Sequence, residues 1–440
     1  MNITVFGCGY VGLVTSACFA DLGHKVCCFD IDSNKIQKLN NGEINIYEPG
    51  LKPMVLRNQN NKRLKFSSKI DETIKFSDFI FICVGTPEKK DGSADLNFVK
   101  SVVGDIASKA TSNKVVVIKS TVPPGSVQEI QNIFNSQLRK KNISVRVASN
   151  PEFLREGSAI RDFLKPDRVI IGVQHKELKS KFGSLYSSSH FKEKIIFMDT
   201  LSAELTKYAS NAMLATKISF INEIANISDL IGADIDFVKA GIASDKRIGS
   251  SFINPGAGYG GSCFPKDVKA LISKANDFGY KPKLLKATDA VNKKQKLVIF
   301  NKIVKRFGGD LKGMKFAVWG LSFKPETDDV RESPSIEVIK NLIKLGSSVS
   351  VFDPKASENF KRTISKNDEI EYMESKESCL ENSDALIIMT EWINFEINDY
   401  SEIKSLLNRP IIFDSRNFLD KRKAISSGFE YFGIGRRGDV

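Results

Sequence analysis

The feature that most constrains the fold is a glycine pattern near the N-terminus. An apolar run, Ile3–Phe6, leads into Gly7, Gly9 and Gly12, and a helical apolar stretch then leads into a second run that ends at Asp30. This order predicts a strand, a helix and a second strand, with an acidic residue about 20 residues past the glycines, as in a dinucleotide-binding βαβ unit. The helix N-terminus would attract a pyrophosphate. Because the Asp30 carboxylate accepts hydrogen bonds from ribose hydroxyls and repels a 2′-phosphate, the pattern favours NAD over NADP.

Two further apolar runs, residues 77–87 and 114–125, are typical of strands buried in a parallel sheet. Each run contains a threonine near its end, Thr86 or Thr121, with a proline after it. Ligands of open α/β sheets bind beyond the carboxyl ends of the strands, so these threonines are candidates for contact with a cofactor. Threonine and proline also end strands without any functional role, and the sequence leaves both interpretations open.

The second half of the chain repeats the strand order of the first half. The repeated runs lie at residues 315–323, 348–354, 383–392 and 409–417. Their order predicts a second doubly wound unit. Its turn has Gly320 alone where the first unit has three glycines, so we expect it to bind a nucleotide of another kind rather than a second dinucleotide.

A helical region separates the two halves. Residues 202–230 contain no glycine or proline, and Ser202 is placed to cap a helix. The predicted apolar face of this helix consists of Leu205, Tyr208, Ala212, Ala215, Phe220, Ile224 and Ile227. A second long helix is predicted over Lys283–Phe307. Long helices between two such lobes are natural hinges and dimer surfaces, and the sequence alone leaves a monomer open.

Charge and composition narrow the range of partners. The formal net charge is +13, but the Lys and Arg residues are dispersed, which favours polyanionic small ligands over nucleic acid. No apolar run reaches the roughly 18 residues of a membrane span, so we expect no membrane partner. Because the basic residues form no long tract, we expect no nucleic-acid partner either. The seven cysteines form an odd set, mostly within apolar runs, as in a protein of the reducing cytoplasm. Three separated histidines and no CxxC pair predict no metal site.

Cys263 differs from the other cysteines because it follows a glycine-rich segment, GAGYGGS, rather than lying in an apolar run. The segment predicts a flexible approach, and the residues after it predict a helix with Pro265 in its first turn. A thiol at a helix N-terminus beside Lys266 has its thiolate favoured by the helix dipole and by the ammonium group. A nucleophilic thiol near NAD suits oxidation of an aldehyde through a thiohemiacetal, with water cleaving the resulting thioester. A structural thiol is the alternative.

Two pairs of polar residues have a spacing of four. Glu152 and Glu156 follow a predicted strand, and Lys207 and Asn211 lie in the predicted long helix. If both segments are helical, the members of each pair share a face. Each pair has two interpretations. The residues are either solvated polar groups on a helix surface or part of the site, since each pair follows an element that ends near the predicted ligand crevice.

A series of motifs occurs in order over nearly the whole chain. They are FGCGYVG, NIYEPGL, VGTP, STVPPG, NPEFLREG, YASNA, RIG, GYGGSCFPKD, SFKPETDDVRESPS and FDSRN. Together they resemble the UDP-glucose/GDP-mannose dehydrogenase family. The resemblance implies that a sugar 6-hydroxyl is oxidised twice, to the aldehyde and then to the acid, with two NAD consumed for each nucleotide sugar.

The resemblance also bears on the substrate. The motifs resemble the branch of the family that takes UDP-glucose as its substrate. GDP-mannose and a UDP-N-acetylhexosamine are the alternative substrates. Ser262 stands where the N-acetyl branch usually has histidine, which disfavours that branch. A dehydrogenase that oxidises a β-hydroxyacid once would need neither Cys263 nor a second lobe, and a silent NAD-binding scaffold would need no such set of polar residues.

Catalytic roles follow from the resemblance. Cys263 is the expected nucleophile of the second oxidation, and Lys207, with Asn211 as its hydrogen-bond partner, is expected to stabilise charge on the reacting oxygen. Asp267 is expected to orient a water or Lys207, and Glu152 to act as base, through water, in thioester hydrolysis.

The first proton has two possible acceptors, the amine of Lys207 and a water held by Thr121 and Asp267. The residues that the resemblance assigns to NAD are Gly7, Gly9, Tyr10, Val11, Gly12, Asp30, Lys35, Thr86, Thr121, Glu156, Lys266 and Arg331. Those that it assigns to the substrate are Glu152, Phe153, Leu154, Lys207, Asn211, Arg247, Phe252, Asn254, Gly256, Tyr259, Gly260, Lys324 and Arg416. In relatives the arginine equivalent to Arg247 reaches the neighbouring subunit's site, which implies a homodimer or a larger homo-oligomer. No catalytic role is expected after Asp420.

The predicted fold class is α/β, with two Rossmann-like, doubly wound parallel-sheet domains joined by a central helical region that contains a long helix. The predicted boundaries are residues 1–198 for the NAD-binding domain, 199–296 for the central helical domain with the Cys263 loop and the dimer surface, and 297–440 for the C-terminal domain that binds the UDP-sugar.

Overall fold

The computed structural model describes residues 1–191, 193–364 and 367–436. The chain divides into two compact units, the first comprising residues 1–210 and 270–280 and the second comprising residues 211–269 and the chain from 281 on. The division falls inside two helices, each of which contributes residues to both units. The three domain boundaries given above stay predictions.

The first unit is built on a sheet of eight strands among its described residues. They are β1 (Asn2–Phe6), β2 (Lys25–Phe29), β3 (Leu64–Ser67), β4 (Phe79–Ile82), β5 (Lys114–Ile118), β6 (Val145–Ser149), β7 (Val169–Val173) and β8 (Ile195–Met198). Their spatial order is β3-β2-β1-β4-β5-β6-β7-β8. The strands from β3 to β6 in this order are parallel, β6 and β7 are antiparallel, and β8 is parallel to β7. The first six strands have the order of a dinucleotide-binding sheet, so the predicted class is confirmed.

Helices connect these strands. They are α1 (Tyr10–Asp21), α2 (Ser33–Asn40), α3 (Leu51–Asn60), α4 (Ile70–Phe76), α5 (Asn97–Lys109), α6 (Ser126–Leu138), α7 (Ala159–Leu164) and α8 (Glu177–Leu185), with a short 3₁₀ turn at Ser189–Phe191. Successive residues of a strand point to opposite faces. In β1, Ile3 and Val5 pack into one core cluster with Phe19 of α1, whereas Phe6 packs into another with Val103 of α5. The near-continuous apolar runs are therefore buried on both faces, as the sequence predicts.

Helical segments lead into the second sheet. They are α9 (Thr200–Ile231), α10 (Ile235–Ala243), α11 (Phe264–Asp277), α12 (Lys283–Gln295) and α13 (Val298–Phe307). The boundary between the two units falls within α9 and within α11. Among the described residues, even the longest helix, α9, falls short of the apolar length that crossing a bilayer needs.

The second sheet has six strands among the described residues. In chain order its elements are β9 (Lys315–Trp319), α14 (Pro334–Lys344), β10 (Ser348–Phe352), α15 (Ser357–Thr363), β11 (Ile370–Tyr372), β12 (Ala385–Ile388), a 3₁₀ turn (Ile393–Phe395), α16 (Tyr400–Leu406), β13 (Ile411–Asp414), α17 (Lys421–Ser426) and β14 (Glu430–Phe432). The strand order is β11-β10-β9-β12-β13-β14, all parallel. This order equals that of the first six strands of the other unit, which confirms the predicted internal repeat.

The start and the buried face of α9 differ from prediction. The helix begins at Thr200, and the side chain of Asp199 accepts the N–H of Ser202 (2.8 Å), so Asp199 rather than Ser202 supplies the cap. Tyr208, Ala212 and Ala215 are buried as expected. In contrast, the side chains of Leu205, Phe220 and Ile227 are about half exposed, at 46%, 52% and 45%. Spacing alone located the helix but not all of the side that it buries.

The predicted helix over 283–307 is wrong in one respect, because it is broken between α12 and α13. Two buried polar side chains lie at the break. Gln295 donates to the carbonyl oxygen of Gly256 (2.7 Å), and Lys296 pairs with the carboxylate of Glu332 (2.6 Å). We attribute the turn to these tertiary bonds, which outweigh a weak local preference for continued helix.

Candidate active site

The turn between β1 and α1 has the geometry of a dinucleotide site. A Cβ atom on Gly12 would lie 1.8 Å from the carbonyl oxygen of Gly7, so only glycine allows the first turn of α1 to approach the end of β1 this closely. A Cβ atom on Gly9 would meet no atom within 4 Å, which leaves open space directly before the helix N-terminus. Tyr10 and Val11 form the first turn of α1. These residues fit a bound diphosphate.

Asp30 follows β2, at the same edge of the sheet. Its carboxylate accepts the N–H of Cys8 (2.8 Å) and that of Asp32 (3.2 Å), and it pairs with the ammonium group of Lys35 (3.1 Å). Burial by itself would raise the pKa of Asp30, but these three donors outweigh it and hold the pKa below its usual value. An ionised carboxylate in this position fits a ribose and disfavours a 2′-phosphate.

Tyr10 also ties the glycine turn to two other segments. Its hydroxyl donates to the carboxylate of Glu48, and burial raises the pKa of this phenol. The N–H of Gly157 donates to Glu48 Oε2 (2.7 Å) and to the Tyr10 oxygen (3.0 Å), which places the residue after Glu156 against the turn. The role of Glu48 was missed from the sequence, although Glu48 lies in the NIYEPGL motif.

Thr86 and Thr121 lie side by side beyond β4 and β5. The Thr86 hydroxyl donates to the carbonyl oxygen of Thr121 (2.9 Å). The expectation that both threonines lie at one edge of the sheet is therefore met, because the carboxyl ends of neighbouring parallel strands meet there.

A buried ion pair joins Lys207 of α9 to Glu152. Lys207 Nζ lies 3.0 Å from Glu152 Oε1, and the N–H of Leu154 donates to Glu152 Oε2 (2.6 Å). Burial alone would raise the pKa of Glu152, but Lys207, the Leu154 N–H and Lys119 more than compensate, so the pKa lies below its usual value. Residues 151–155 form no helix, so the condition under which Glu152 and Glu156 would share a helical face is not met.

Two further groups surround this pair. The Phe153 ring lies 5.3 Å from Lys207 Nζ and 3.9 Å from the guanidinium carbon of Arg168. Lys119, directly after β5, is buried and lies 3.5 Å from Asn150 Oδ1; burial lowers the pKa of this amine. Lys119 was not predicted as a site residue, and the only signal in the sequence is a lysine directly after the apolar run Val115–Ile118.

In the second unit, Cys263 lies directly before α11, with Pro265 in the first turn, as predicted. The Cys263 carbonyl oxygen accepts the N–H of Asp267 (2.9 Å), and Ser262 Oγ lies 3.6 Å from Cys263 Sγ. The thiol is half-buried, whereas the other six cysteines are buried. It is therefore the most accessible thiol of the chain, at the positive end of a helix.

Asp267 lies one turn into α11 and is fully buried. Asn211 Nδ2 donates to Asp267 Oδ2 (2.6 Å), and Lys266 Nζ donates to Asp267 Oδ1. Asn211 follows Lys207 by four residues on α9, so the predicted shared face of that pair is confirmed.

The glycine-rich segment before Cys263 is fixed rather than flexible, which corrects the expectation from composition. Residues 255–261 are buried. The N–H of Gly256 donates to Asn222 Oδ1 (2.8 Å), and the N–H and carbonyl of Tyr259 bond to the amide of Asn292 (2.8 and 3.0 Å). A Cβ atom on Gly260 would lie 2.5 Å from the carbonyl oxygen of Glu332, so close packing explains this glycine.

Several residues in and near this segment are predicted to bind the substrate, and two of them are aromatic. The rings of Phe252 and Tyr259 contact that of Phe264, with centroids 6.2 and 5.9 Å apart, while Asn254 is exposed. The Lys324 ammonium lies 5.5 Å from the Phe323 ring.

The resemblance assigns three arginines to ligands. Arg416 donates to the carbonyl oxygens of Met389 (2.8 Å), Phe323 (2.8 Å) and Gly258 (3.4 Å), so its guanidinium supports the glycine-rich segment. The Arg331 carbonyl oxygen accepts the N–H of Gly261 (2.8 Å), and its side chain pairs with Asp329. Arg247 is exposed and pairs with Asp245 (2.6 Å).

Both units match domains of one known protein family. Residues 1–190 match the NAD binding domain of the UDP-glucose/GDP-mannose dehydrogenase family, residues 201–294 its central domain and residues 317–421 its UDP binding domain. The UDP-glucose 6-dehydrogenase of Rickettsia bellii is 45% identical over 99% of this chain and 100% of its own length.

Solved structures agree with this match. A UDP-glucose dehydrogenase from the archaeon Pyrobaculum islandicum is 36% identical, with a TM-score of 0.90 over 99% of this chain and 98% of its own. A UDP-D-ManNAc dehydrogenase from Pyrococcus horikoshii covers 100% of both chains with a TM-score of 0.87, but it is only 26% identical. With a Rossmann sheet that fits NAD, a thiol at a helix N-terminus and full-length relatives, the chain belongs to the UDP-glucose/GDP-mannose dehydrogenase family.

Proposed function

We propose that this chain is a UDP-glucose 6-dehydrogenase that converts UDP-glucose to UDP-glucuronate with two NAD. The observation that carries the proposal is the half-buried thiol of Cys263 at the N-terminus of α11, one turn before the buried Asp267. A single oxidation of an alcohol needs no thiol, whereas oxidation of an aldehyde to an acid proceeds readily through a covalent thioester. Curated relatives named UDP-glucose 6-dehydrogenase, at 41–45% identity over the full length, support UDP-glucose as the substrate.

The reaction is a four-electron oxidation. Overall, UDP-glucose, two NAD⁺ and one water give UDP-glucuronate, two NADH and three protons. When bound, NAD accepts one hydride from C6 of the sugar in each oxidation. We assign its binding to the Gly7–Gly12 turn, Asp30, Lys35 and the Thr86–Thr121 pair.

Cys263 carries the covalent part of the proposal. The sulfur adds to the C6 aldehyde to form a thiohemiacetal, whose oxidation leaves a thioester, and water then cleaves the carbon–sulfur bond to release the acid and restore the thiol. The dipole of α11 favours the thiolate that attacks the aldehyde and that leaves in hydrolysis.

The Lys207–Glu152 pair supplies charge for these steps. Negative charge develops on the substrate oxygen in each step, and a buried ammonium group stabilises it more strongly than one in water. The lowered pKa of Glu152 means that its carboxylate is ionised. We assign to this carboxylate the proton of the water that attacks the thioester. We assign to Asn211 and Asp267 the positioning of the reacting groups.

We further propose that the UDP-sugar binds the 252–260 segment, Lys324 and Arg416, with Phe153 and Leu154 near the sugar. The fixed backbone of that segment supports this assignment, because preorganised N–H and C=O groups bind a ligand with little loss of entropy.

We also propose a cytoplasmic homodimer or larger homo-oligomer. Within the second unit, α9 exposes an apolar stripe at Met213, Phe220 and Ile227, spaced by seven residues, with Phe237 of α10 also exposed. A seven-residue apolar repeat on a helix is typical of packing against another helix. The exposed Arg247 is available to a second copy.

The experiment that tests the function is the ratio of NADH formed to UDP-glucose consumed. We expect a ratio of two for the wild type, as two oxidations require, and no release of UDP-glucuronate by C263A. GDP-mannose and UDP-N-acetylglucosamine serve as controls and should give little or no NADH. A ratio of one would contradict the proposal, and faster turnover of either control substrate would favour the alternative branches.

A further inference from the structure

Glu204, which has no role in the mechanism above, lies on α9 and is only 2% exposed. Its Oε2 accepts the N–H of Gly125 (2.7 Å), and its Oε1 accepts the N–H of Val127 (2.8 Å). These are among the first N–H groups of α6, which have no partner within that helix. A single buried carboxylate thus satisfies two backbone donors at the positive end of α6.

The two ends of this contact both lead to proposed functional groups within the first unit. The backbone before Gly125 is the loop from β5 to α6, which carries Thr121, and the Thr121 carbonyl oxygen accepts the hydroxyl of Thr86. Glu204 itself precedes Lys207 by three residues on α9, and Lys207 pairs with Glu152. A continuous series of bonds therefore runs from the cofactor loops to the buried ion pair.

We propose that Glu204 is a positioning residue, whose ionised carboxylate holds the Thr121 loop against the helix that carries Lys207 and releases one of the two contacts when it is protonated. This inference rests on the proposed function, because it assigns Thr121 and Lys207 to the reaction. Glu204 touches neither the cofactor nor the substrate in this scheme. Its effect on the reaction is transmitted through the geometry of the two elements that it joins.

Protonation matters because the ionised form accepts strongly at both oxygens, whereas in the neutral acid one oxygen becomes a hydroxyl, which is a much weaker acceptor. A neutral carboxylic acid has an O–H that donates, and it would face the N–H of Gly125 or Val127. Burial raises the pKa of Glu204 to about 7, against the opposing effect of the two N–H donors. The charged groups that face it are Glu129 on α6, which raises the pKa further, and Lys274 on α11, which lowers it. The contact is therefore sensitive to pH near neutrality.

The test compares wild type with E204Q. Glutamine keeps one acceptor oxygen, but its NH₂ group faces a backbone N–H, so one contact is lost at every pH. We expect kcat with UDP-glucose to fall about 10- to 100-fold, with a smaller change in KM, since displaced reacting groups slow the chemical step. We also expect wild-type kcat to fall below about pH 7, whereas E204Q lacks this limb.

E129Q is the matched control, because Glu129 is exposed on α6 and its removal leaves both contacts intact. It should keep the plateau value of kcat and move the limb to lower pH. E204Q with wild-type kcat and an unchanged pH profile would overturn the proposal. So would a kcat loss in E204Q that E129Q matches.

Hydrogen–deuterium exchange separates this inference from the proposed function and needs no substrate. In the wild type, the protection of a peptide spanning residues 121–130, corrected for intrinsic exchange rates, should drop between pH 8 and pH 6. If E204Q folds poorly, the wild-type measurement alone decides, because protection that is constant across this range excludes a contact that breaks on protonation. Loss of protection in a protein that does not oxidise UDP-glucose would support the contact and reject the substrate assignment.

Discussion

Replacing Lys207 with methionine should destabilise the first unit, because the carboxylate of Glu152 then stays buried without its ammonium partner. The side chains of Lys207 and Glu152 are only 4% and 5% exposed, and their charged atoms lie 3.0 Å apart. Removing one partner of such a pair costs about 3–5 kcal/mol, since the remaining charge keeps its desolvation penalty. The Leu154 N–H and Lys119 still stabilise the carboxylate, so we expect a loss of about 3 kcal/mol.

The pH dependence of this loss is a second check on its cause. In the wild type the pKa of Glu152 lies below its unfolded value, so the stability it contributes is present above the unfolded pKa and is lost only as pH falls through the folded pKa. In K207M burial dominates, and the pKa of Glu152 rises above its unfolded value. K207M should therefore regain stability between pH 7 and pH 5, and its deficit relative to wild type should shrink over that range.

Thermal unfolding measures the loss of stability in K207M, and the second unit serves as the internal reference. Far-UV circular dichroism follows both units, whereas the two tryptophans, Trp319 and Trp392, lie in the second unit and report on it alone. A loss of about 3 kcal/mol corresponds to a fall in Tm of about 6–12 °C for a unit of this size, visible in the dichroism transition. K207M/E152M removes both charges and should recover most of the stability without restoring activity. A K207M variant as stable as wild type at pH 7, or a double variant as unstable as K207M, would refute the reasoning.

Three further predictions concern the cofactor and the oligomer. G12A should abolish NAD binding measured by calorimetry, because the new Cβ would lie 1.8 Å from the Gly7 carbonyl oxygen. The control G104A, whose Cβ would have no atom within 4 Å, should bind NAD normally. Normal binding by G12A would contradict the geometry of the turn. D30A should raise the ratio of NADP to NAD efficiency at least about tenfold, as expected for loss of hydrogen bonds to the ribose, and an unchanged ratio of kcat/KM values would reject the role of Asp30. F220D should convert the oligomer to a smaller species in light scattering, whereas F278D, which replaces an exposed phenylalanine that is not part of the proposed stripe, should not; a monomeric wild type would refute the proposed interface.

The features that the sequence predicted correctly depend on local patterns. Strands buried on both faces appear as continuous apolar runs, and the start of α11 at Phe264 follows from proline in the first turn. The pairing of charged side chains has no such local signal. Lys207 pairs with Glu152, 55 residues away, and Asn211 with Asp267, 56 residues away. These partners are determined by which face of α9 packs against the rest of the protein, and the spacing of apolar residues predicts that face only in part.

The glycine-rich segment shows why composition misled in one place. Glycine serves a chain either by its conformational freedom or by its lack of a side chain, and a sequence does not distinguish these uses. Here a Cβ atom on Gly256 would lie 3.2 Å from the carbonyl oxygen of Ser415, and one on Gly260 would lie 2.5 Å from that of Glu332. The thiol of Cys263 is consequently presented by a fixed backbone, which suits its proposed role as a nucleophile that attacks one carbon.

The two sheets share a strand order but differ at the position where a dinucleotide binds. Asp353 follows β10 as Asp30 follows β2. The Asp353 carboxylate, however, is buried and accepts the N–H groups of Leu321 and Ser322 and the indole N–H of Trp392 at one oxygen.

Its other oxygen accepts the N–H groups of Lys355 and Ala356, so the acceptor capacity that a ribose would need is already used within the chain. The turn differs as well, because the residue two positions past Gly320 is Ser322, which is buried and donates its hydroxyl to Asp353 Oδ2 (3.2 Å), whereas Gly9, two positions past Gly7, leaves open space. The second sheet therefore keeps the strand order of a dinucleotide fold but lacks both the open turn and the available carboxylate. We conclude that the second unit retains the scaffold, while its ligand is held by groups outside the dinucleotide position, in agreement with its match to a UDP binding domain.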